Sequence, residues 1–281
     1  MDDDCVFKKL PKEILLLILS FIPNNKWYKL TEVNRHFKDF KLIDDIYDIY
    51  ILTILDTTKF QCKINLSTIE LQAIRRILEK NEMVLTLLSL HNKQINNGVY
   101  ILAKPLKLNK TLLEMDLSNN KIGNNGAIIL AQGLKQNTSL KTVILQMNGI
   151  GCIGAKALMK AITKNQTLVA FFLDYNNIKS DGAKAIAKAL EKNIKLEILD
   201  ISGNPLKVDD GILISKSLET NTTLRTIYIS ISTINITEIK TICNLLKINK
   251  TLKKFELSHY NFEQKETISK LINDALLNKI N

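Results

Sequence analysis

The chain has 281 residues, 46% hydrophobic and 24% charged, which fits one or two soluble globular domains and excludes wholesale disorder. Only 4 prolines and 10 glycines are present, so collagen-like or linker-like character is excluded as well. Lysine and arginine outnumber aspartate and glutamate by 39 to 28, and the resulting +11 raises nucleic acid or an anionic membrane as partners to be weighed.

The first apolar run, residues 14–22, is nine residues long. A membrane span needs roughly 20. Asp2, Asp3, Asp4 and Glu13 precede it and no small-residue cleavage site comes after it, so a signal peptide is not expected either. The expected location is cytoplasmic or nuclear (inside a host cell if the source is a virus or intracellular parasite), with no membrane partner. Ile14, Leu15, Ile18, Leu19 and Ile22 form a wide apolar stripe at helical spacing. Pro11 suits the first position of that helix and Pro23 stops it. Two short helices can follow across residues 27–40. Some forty residues cannot build a large core of their own. So much aliphatic surface needs a cover, either a partner or the end of a larger fold that this stretch would cap.

Residues 41–80 hold no glycine or proline and are dense in apolar side chains, among them Ile43, Ile46, Tyr47, Ile49, Tyr50 and Ile54. That composition predicts a packed helical connector rather than a flexible linker. Residues 68–78 read as the helix of a degenerate repeat, with Leu78 and Asn81 in register with the later units.

Asparagine then recurs at 81, 109, 137, 165, 193, 221 and 249, every interval being 28. After each comes a short apolar strand pattern, a turn and an amphipathic helix. Leu112, Met115, Leu117, Asn120 and Ile122 recur as Leu140, Val143, Leu145, Asn148, Ile150, and again as Leu168, Phe171, Leu173, Asn176, Ile178. Alternation at Met115 and Leu117 points both side chains to the buried face of a strand. Ala183, Ile186 and Leu190 form the apolar stripe of a following helix. Neither face can be buried within one unit, so stacked neighbours must share one continuous core. The boundary asparagine follows the last helical turn, where a left-handed residue is expected. The second asparagine (Asn120, Asn148, Asn176, Asn204) is expected to bond the backbone of adjacent turns as a ladder. Lys93, Ser232 and Tyr260 replace it in the outer units. Five boundary asparagines also read as N-x-Ser/Thr acceptors, but as repeat punctuation they need no glycan.

The L-x-x-L-x-L-x-x-N-x-I pattern resembles the leucine-rich repeat, and its 28-residue length with a full helix resembles the ribonuclease-inhibitor-like class, over residues 81–277. Residues 10–37 resemble an F-box: Leu10-Pro11, Glu13-Ile14, Ile18-Leu19, Phe21-Ile22-Pro23 and Val33-Asn34-Arg35 with Phe37 fit its opening, middle and close. One departure is Trp27-Tyr28, where a pair of leucines is more usual. The resemblances imply an α/β chain: a helical F-box (8–40), the connector with a capping repeat (41–80), and a curved solenoid of about seven repeats (81–281). Strands would line its concave face and helices its convex face. The F-box would dock a Skp-type adaptor, and through it a cullin, by Leu10, Pro11, Ile14, Ile18, Leu19, Ile22, Trp27, Val33 and Phe37. The whole would be the substrate-recruiting subunit of a cullin–RING ubiquitin ligase. Alternatives are a non-catalytic scaffold or adaptor-sequestering effector, and, more remotely, an activator of the Ran-type GTPase, whose relatives carry more repeats and an acidic tail.

No enzyme is expected. The phosphate-binding, nucleophile-elbow and zinc-protease motifs are all missing, and the acids fall at repeat spacing with no pair set apart as acid and base. Cys5, Cys62, Cys152 and Cys243 lie far apart and away from His36, His91 and His259, so neither a metal nor a disulfide framework is expected, and no cofactor.

The target-binding face should lie on the concave strands. One row reads Asp116, Ile144, Phe172, Asp200, Tyr228, one residue from each successive unit, with Ile198 beside it and Met147 and Tyr175 at the strand exits. Four face positions from each repeat collect Glu114, Asp116, Asp174, Asp200 and Glu256 against Lys254 alone, a net of −4. The expected target is therefore a protein with a basic or mixed patch. Lys156, Lys160, Lys164, Lys184, Lys188 and Lys192 fall on helices, where they read as dispersed over a solvated back. With few aromatics for base stacking, specific nucleic acid is not expected.

Overall fold

The computed structural model describes residues 71, 72, 74, 75, 78, 79, 86–231, 233–258 and 265–278. The F-box motif lies outside these residues, as does most of the connector. Leu71, Ile74 and Leu78 are helical and buried.

From there strand and helix alternate. The order is β1 (Leu87–Ser89), a short 3-10 helix (Asn96–Val99), α1 (Tyr100–Leu108), β2 (Glu114–Asp116), α2 (Gly123–Leu134), β3 (Thr142–Ile144) and α3 (Cys152–Ile162). It continues with β4 (Ala170–Phe172), α4 (Ser180–Leu190), β5 (Ile198–Leu206), α5 (Val208–Ser217), β6 (Thr226–Ile231), α6 (Ile236–Ile248), β7 (Lys254–Ser258) and α7 (Lys265–Leu277). All seven strands form one parallel sheet in sequence order. Each helix packs on the next. Parallel pairing demands a crossover between strands, and the helix of each unit supplies it.

The register repeats the sequence period. Met115, Val143, Phe171, Leu199 and Ile227 stand side by side on neighbouring strands, each with no exposed surface. Facing them, Leu130, Leu158, Ile186, Ile214 and Ile242 come from successive helices and are as fully buried. They belong to one unbroken core. The pairing of β1 with β2, Leu88 opposite Met115, falls one position short of the full repeat step that the later pairs keep. Strands sit about 4.8 Å apart and helices 8–10 Å apart. A stack with one kind on each side must therefore bend with the sheet on the inside.

Two ladders of buried asparagines tie unit to unit. Asn148, for example, accepts at its side-chain oxygen from the N–H groups of Asn120 and Ile122 and donates to the Leu117 carbonyl. Asn120 and Asn176 repeat the arrangement in full, and Asn204 repeats it with one accepted N–H, that of Ile178, and its donation to the Leu173 carbonyl. The N–H of Lys93 takes the Asn120 bond, the place expected for it; positions 232 and 260 lie outside the described residues.

The boundary asparagines differ from expectation. None is left-handed among the described residues: Asn109 has φ −69° and Asn249 φ −75°, both extended. The side chain, not the backbone, makes the link. Nδ2 of Asn109, Asn137, Asn165, Asn193, Asn221 and Asn249 donates to a carbonyl of the preceding helix but one, at Leu78, Leu106, Leu134, Ile162, Leu190 and Leu218. Those carbonyls sit at or near helix C-termini, where the helix has no partner of its own for them. Oδ1 meanwhile accepts the N–H groups two and three residues on, as from Thr167 and Leu168 at Asn165. An asparagine in this buried position satisfies three groups at once. The Ser/Thr of the acceptor-like triplets belongs to the same device: Ser139 and Thr251 hydroxyls donate to the carbonyls of Asn109 and Asn221.

Candidate protein-binding face

The face of the sheet away from the helices carries the expected row. Asp116, Ile144, Phe172, Asp200, Tyr228 and Glu256 are direct register partners on β2 to β7. The first five are half-buried, each alternating with a fully buried neighbour. A second row on the same face reads Glu114, Thr142, Ala170, Ile198, Thr226 and Lys254, with Ala170 buried and Ile198 half-buried.

Strand exits form a third row. Asn119, Met147, Tyr175 and Gly203 all have left-handed backbone, φ 51–64°. That conformation disfavours bulky side chains. Met147 and Tyr175 nonetheless occupy it and stay 50% and 60% exposed. Gly203 makes room for Tyr175: a Cβ there would lie 2.7 Å from the ring. Ile144, Met147, Phe172, Tyr175 and Ile198 thus make an apolar centre on β3 to β5, with a left-handed platform at its edge.

The acids do not behave alike. Asp116 and Asp200 accept from the backbone N–H groups of Ser118 and Ser202, at 2.8 and 2.9 Å, and from their hydroxyls. They shape the strand exits as well as colouring the face. Asp174 stands two residues past Phe172, the place that Ser118 and Ser202 take in their units, and is buried. Burial first, then the neighbouring Asp200, pushes its carboxyl up to about 6, against weaker help from hydrogen bonds to its own backbone and Gln146. One of the five acids of the face is therefore charged only above mildly acidic pH. At the other end Lys254 pairs with Glu256 at 2.7 Å and lies 4.6 Å from the Tyr228 ring centre. Tyr228 and Glu256 are engaged within the face, whereas Phe172 and Tyr175 remain open.

The six helix lysines depart from the expected dispersal. All line a single groove between α3 and α4. The sequence carries the signal, since Lys156, Lys160 and Lys164 recur one whole unit later as Lys184, Lys188 and Lys192. Taken one by one, the same charges look scattered.

Among the described residues no group of three or more His, Cys, Asp or Glu could hold a metal, and no helix is long and apolar enough to cross a membrane.

These rows and ladders define a leucine-rich-repeat architecture, and the leucine-rich repeat model matches residues 108–131, 136–159, 164–187 and 192–215. Leucine-rich repeats are present in this chain. No curated protein matches it. Among solved structures, the actin-binding site 2 of leiomodin-1 aligns at TM-score 0.44 and 22% identity over 62% of this chain and 86% of that one. The tropomodulin C-terminal domain of Caenorhabditis elegans aligns at TM-score 0.47 and 14% identity, over 54% of this chain and 92% of that one. At these scores the likeness carries nothing about what the present chain binds.

Proposed function

We propose that the chain is a non-catalytic protein-interaction scaffold whose sheet face takes a target protein. The carrying observation is the apolar centre of Ile144, Met147, Phe172, Tyr175 and Ile198, bordered by Asp116, Asp174 and Asp200. An aromatic centre ringed by polar groups is the usual anatomy of a protein interface. The acids favour a target with a basic or mixed patch.

A finer reading rests on the ordered motif across residues 10–37. In it residues 8–40 are an F-box, 41–80 a packed connector and 81–281 the repeat domain. Ile14 and its stripe dock a Skp-type adaptor, a cullin follows, and the sheet face presents a target for ubiquitin transfer. The receptor then contributes proximity rather than bond chemistry.

One experiment separates the two. Full-length wild type, Ile14→Asp and Phe172→Glu are affinity-purified and their partners quantified by mass spectrometry, beside direct binding to purified adaptor. Ile14→Asp should lose adaptor and cullin at least about a hundredfold, since a carboxylate enters an apolar contact. Phe172→Glu should keep both and lose a separate set of proteins. Adaptor retained by Ile14→Asp at wild-type yield removes the ligase reading and leaves the scaffold. A Phe172→Glu profile matching wild type removes the sheet face as the site.

A further inference from the structure

The groove between α3 and α4 has a volume of about 670 Å³, within the roughly 300–1,000 Å³ of ordinary binding sites. Lys156, Lys160 and Lys164 form one wall, at one-turn spacing, and their repeat equivalents Lys184, Lys188 and Lys192 form the other. All six are exposed. Six lysines and one acid, Asp181, leave +5 of the chain's +11 on these two walls. Asp181 is already taken by Lys184 at 3.0 Å. Lys160, Lys164, Lys188 and Lys192 have no ion pair among the described residues.

This pattern is local. The same helix positions read Ile128, Gln132, Gln136 in the preceding unit and Ile212, Lys216, Thr220 in the following one. Solubility alone would not place six like charges on one helix pair, where lysines at i, i+4 oppose one another. The floor between the walls is mainly apolar: Met159 and Ala189 are buried beneath it, Ala185 is half-buried, Cys152 and Thr163 add to it, and Ile153, 65% exposed, stands at one end.

We infer that this groove is a docking site for an acidic amphipathic helix of a partner protein, lying parallel to α3 and α4. Lys156 to Lys164, along α3 and just past its end, covers about 12 Å. A bound helix of two to three turns meets each lysine pair with one acid per turn on both flanks. Its single apolar stripe rests on the floor, the helix-in-groove mode of recognition. Nucleic acid fits less well, because the lining holds no aromatic for stacking and the floor is mainly apolar, its Thr163 hydroxyl already donating to the Met159 carbonyl. A bilayer is flat and cannot reach a floor between two walls.

The test uses the full chain and a fluorescent helix-forming peptide of about 16 residues, with a leucine stripe flanked on both sides by glutamates. Binding is read by anisotropy at about 0.15 M salt. The glutamate peptide should bind, and the same peptide with glutamines or with a serine stripe should bind at least about tenfold more weakly. Lys160→Glu with Lys188→Glu should weaken binding by at least about tenfold without moving the melting temperature. Lys160→Gln with Lys188→Gln should fall between, and serves if the reversed pair does not fold. Equal binding of the glutamate and glutamine peptides, or either double variant binding as wild type does, overturns the proposal. So does tighter binding of a single-stranded oligonucleotide or of phosphatidylserine vesicles, lost in the same variants. Phe172→Glu should leave peptide binding untouched, so failure here and failure of the sheet face are told apart.

Discussion

The two sides of units three and four carry opposite chemistry on one frame. On the sheet side, Ile144 and Phe172 form an apolar centre with Asp174 and Asp200 beside it. On the helix side, an apolar floor at Met159 and Ala185 lies between rows of lysine. Both patterns step by one whole repeat, and apart from Met159 and Ala189 at the groove floor both lie outside the residues that form the core. Leu158 and Ile186 face the core, as do Val143 and Phe171, while the positions next to them in sequence are left to vary. A solenoid thus separates what keeps the stack together from what the stack displays.

The largest expected effect comes from breaking what both sides share. Asn165→Ala removes donors to the carbonyls of Leu134 and Asn137 and the acceptor for the N–H groups of Thr167 and Leu168. Leaving such buried groups unsatisfied costs about 1–3 kcal/mol each, so a loss of about 3 kcal/mol is expected in denaturant unfolding. Binding on both faces should weaken together. A loss below about 1 kcal/mol would mean that water replaces the ladder bonds.

Next comes the separation itself. Phe172→Glu should cost at least about 2 kcal/mol of target affinity, as central aromatic anchors do, with little change in melting temperature. A large thermal loss would instead make Phe172 a packing residue.

Gly203→Ala should be milder. The left-handed backbone alone disfavours a side chain by about 1–2 kcal/mol, and the new Cβ meets the Tyr175 ring. Target binding should fall with the displaced ring, and binding in the helix groove should not. Unchanged Tyr175 fluorescence quenching in the variant would show that the ring does not rest there.

The smallest effect is in pH. The folded-state carboxyl of Asp174 titrates near 6, above its ordinary 3.8, so the folded chain holds that proton more tightly than the unfolded one. Its contribution is full below the ordinary value and is lost as pH rises through about 6. Asp174→Asn should therefore gain on wild type across that window, by about 1 kcal/mol once solvent screening is allowed for. Melting curves at several pH values check it, and a constant difference would place the carboxylate in water.

Much of this was legible in the sequence, and the limits are physical. Met115 with Leu117, and Ile186 with Leu190, announced their faces because burial imposes a period on every unit. The second asparagine ladder was readable for the same reason. The boundary asparagine misled because a residue after a helix is commonly left-handed, and the sequence does not show a carbonyl of a neighbouring unit waiting for an amide. The sheet row was readable because parallel register keeps equal spacing. The groove was not, since six lysines become one site only when α3 is laid against α4. The burial that raises Asp174 is likewise a property of the stacked neighbours and not of its own unit.

Because the bonds between units recur identically at each step and the rest of each ladder lies within its own unit, the chain can be shortened by an interchangeable part without a mismatch. Excising residues 166–193 joins Asn165 to Ile194, so that Asn165 receives the N–H groups of Lys195 and Leu196 that Asn193 now accepts. Asn221 then finds the Ile162 carbonyl where the Leu190 carbonyl stood. Both rows of amides close over the join. What vanishes is Phe172, Tyr175 and one of the two lysine walls: the molecule would keep its architecture and lose its message.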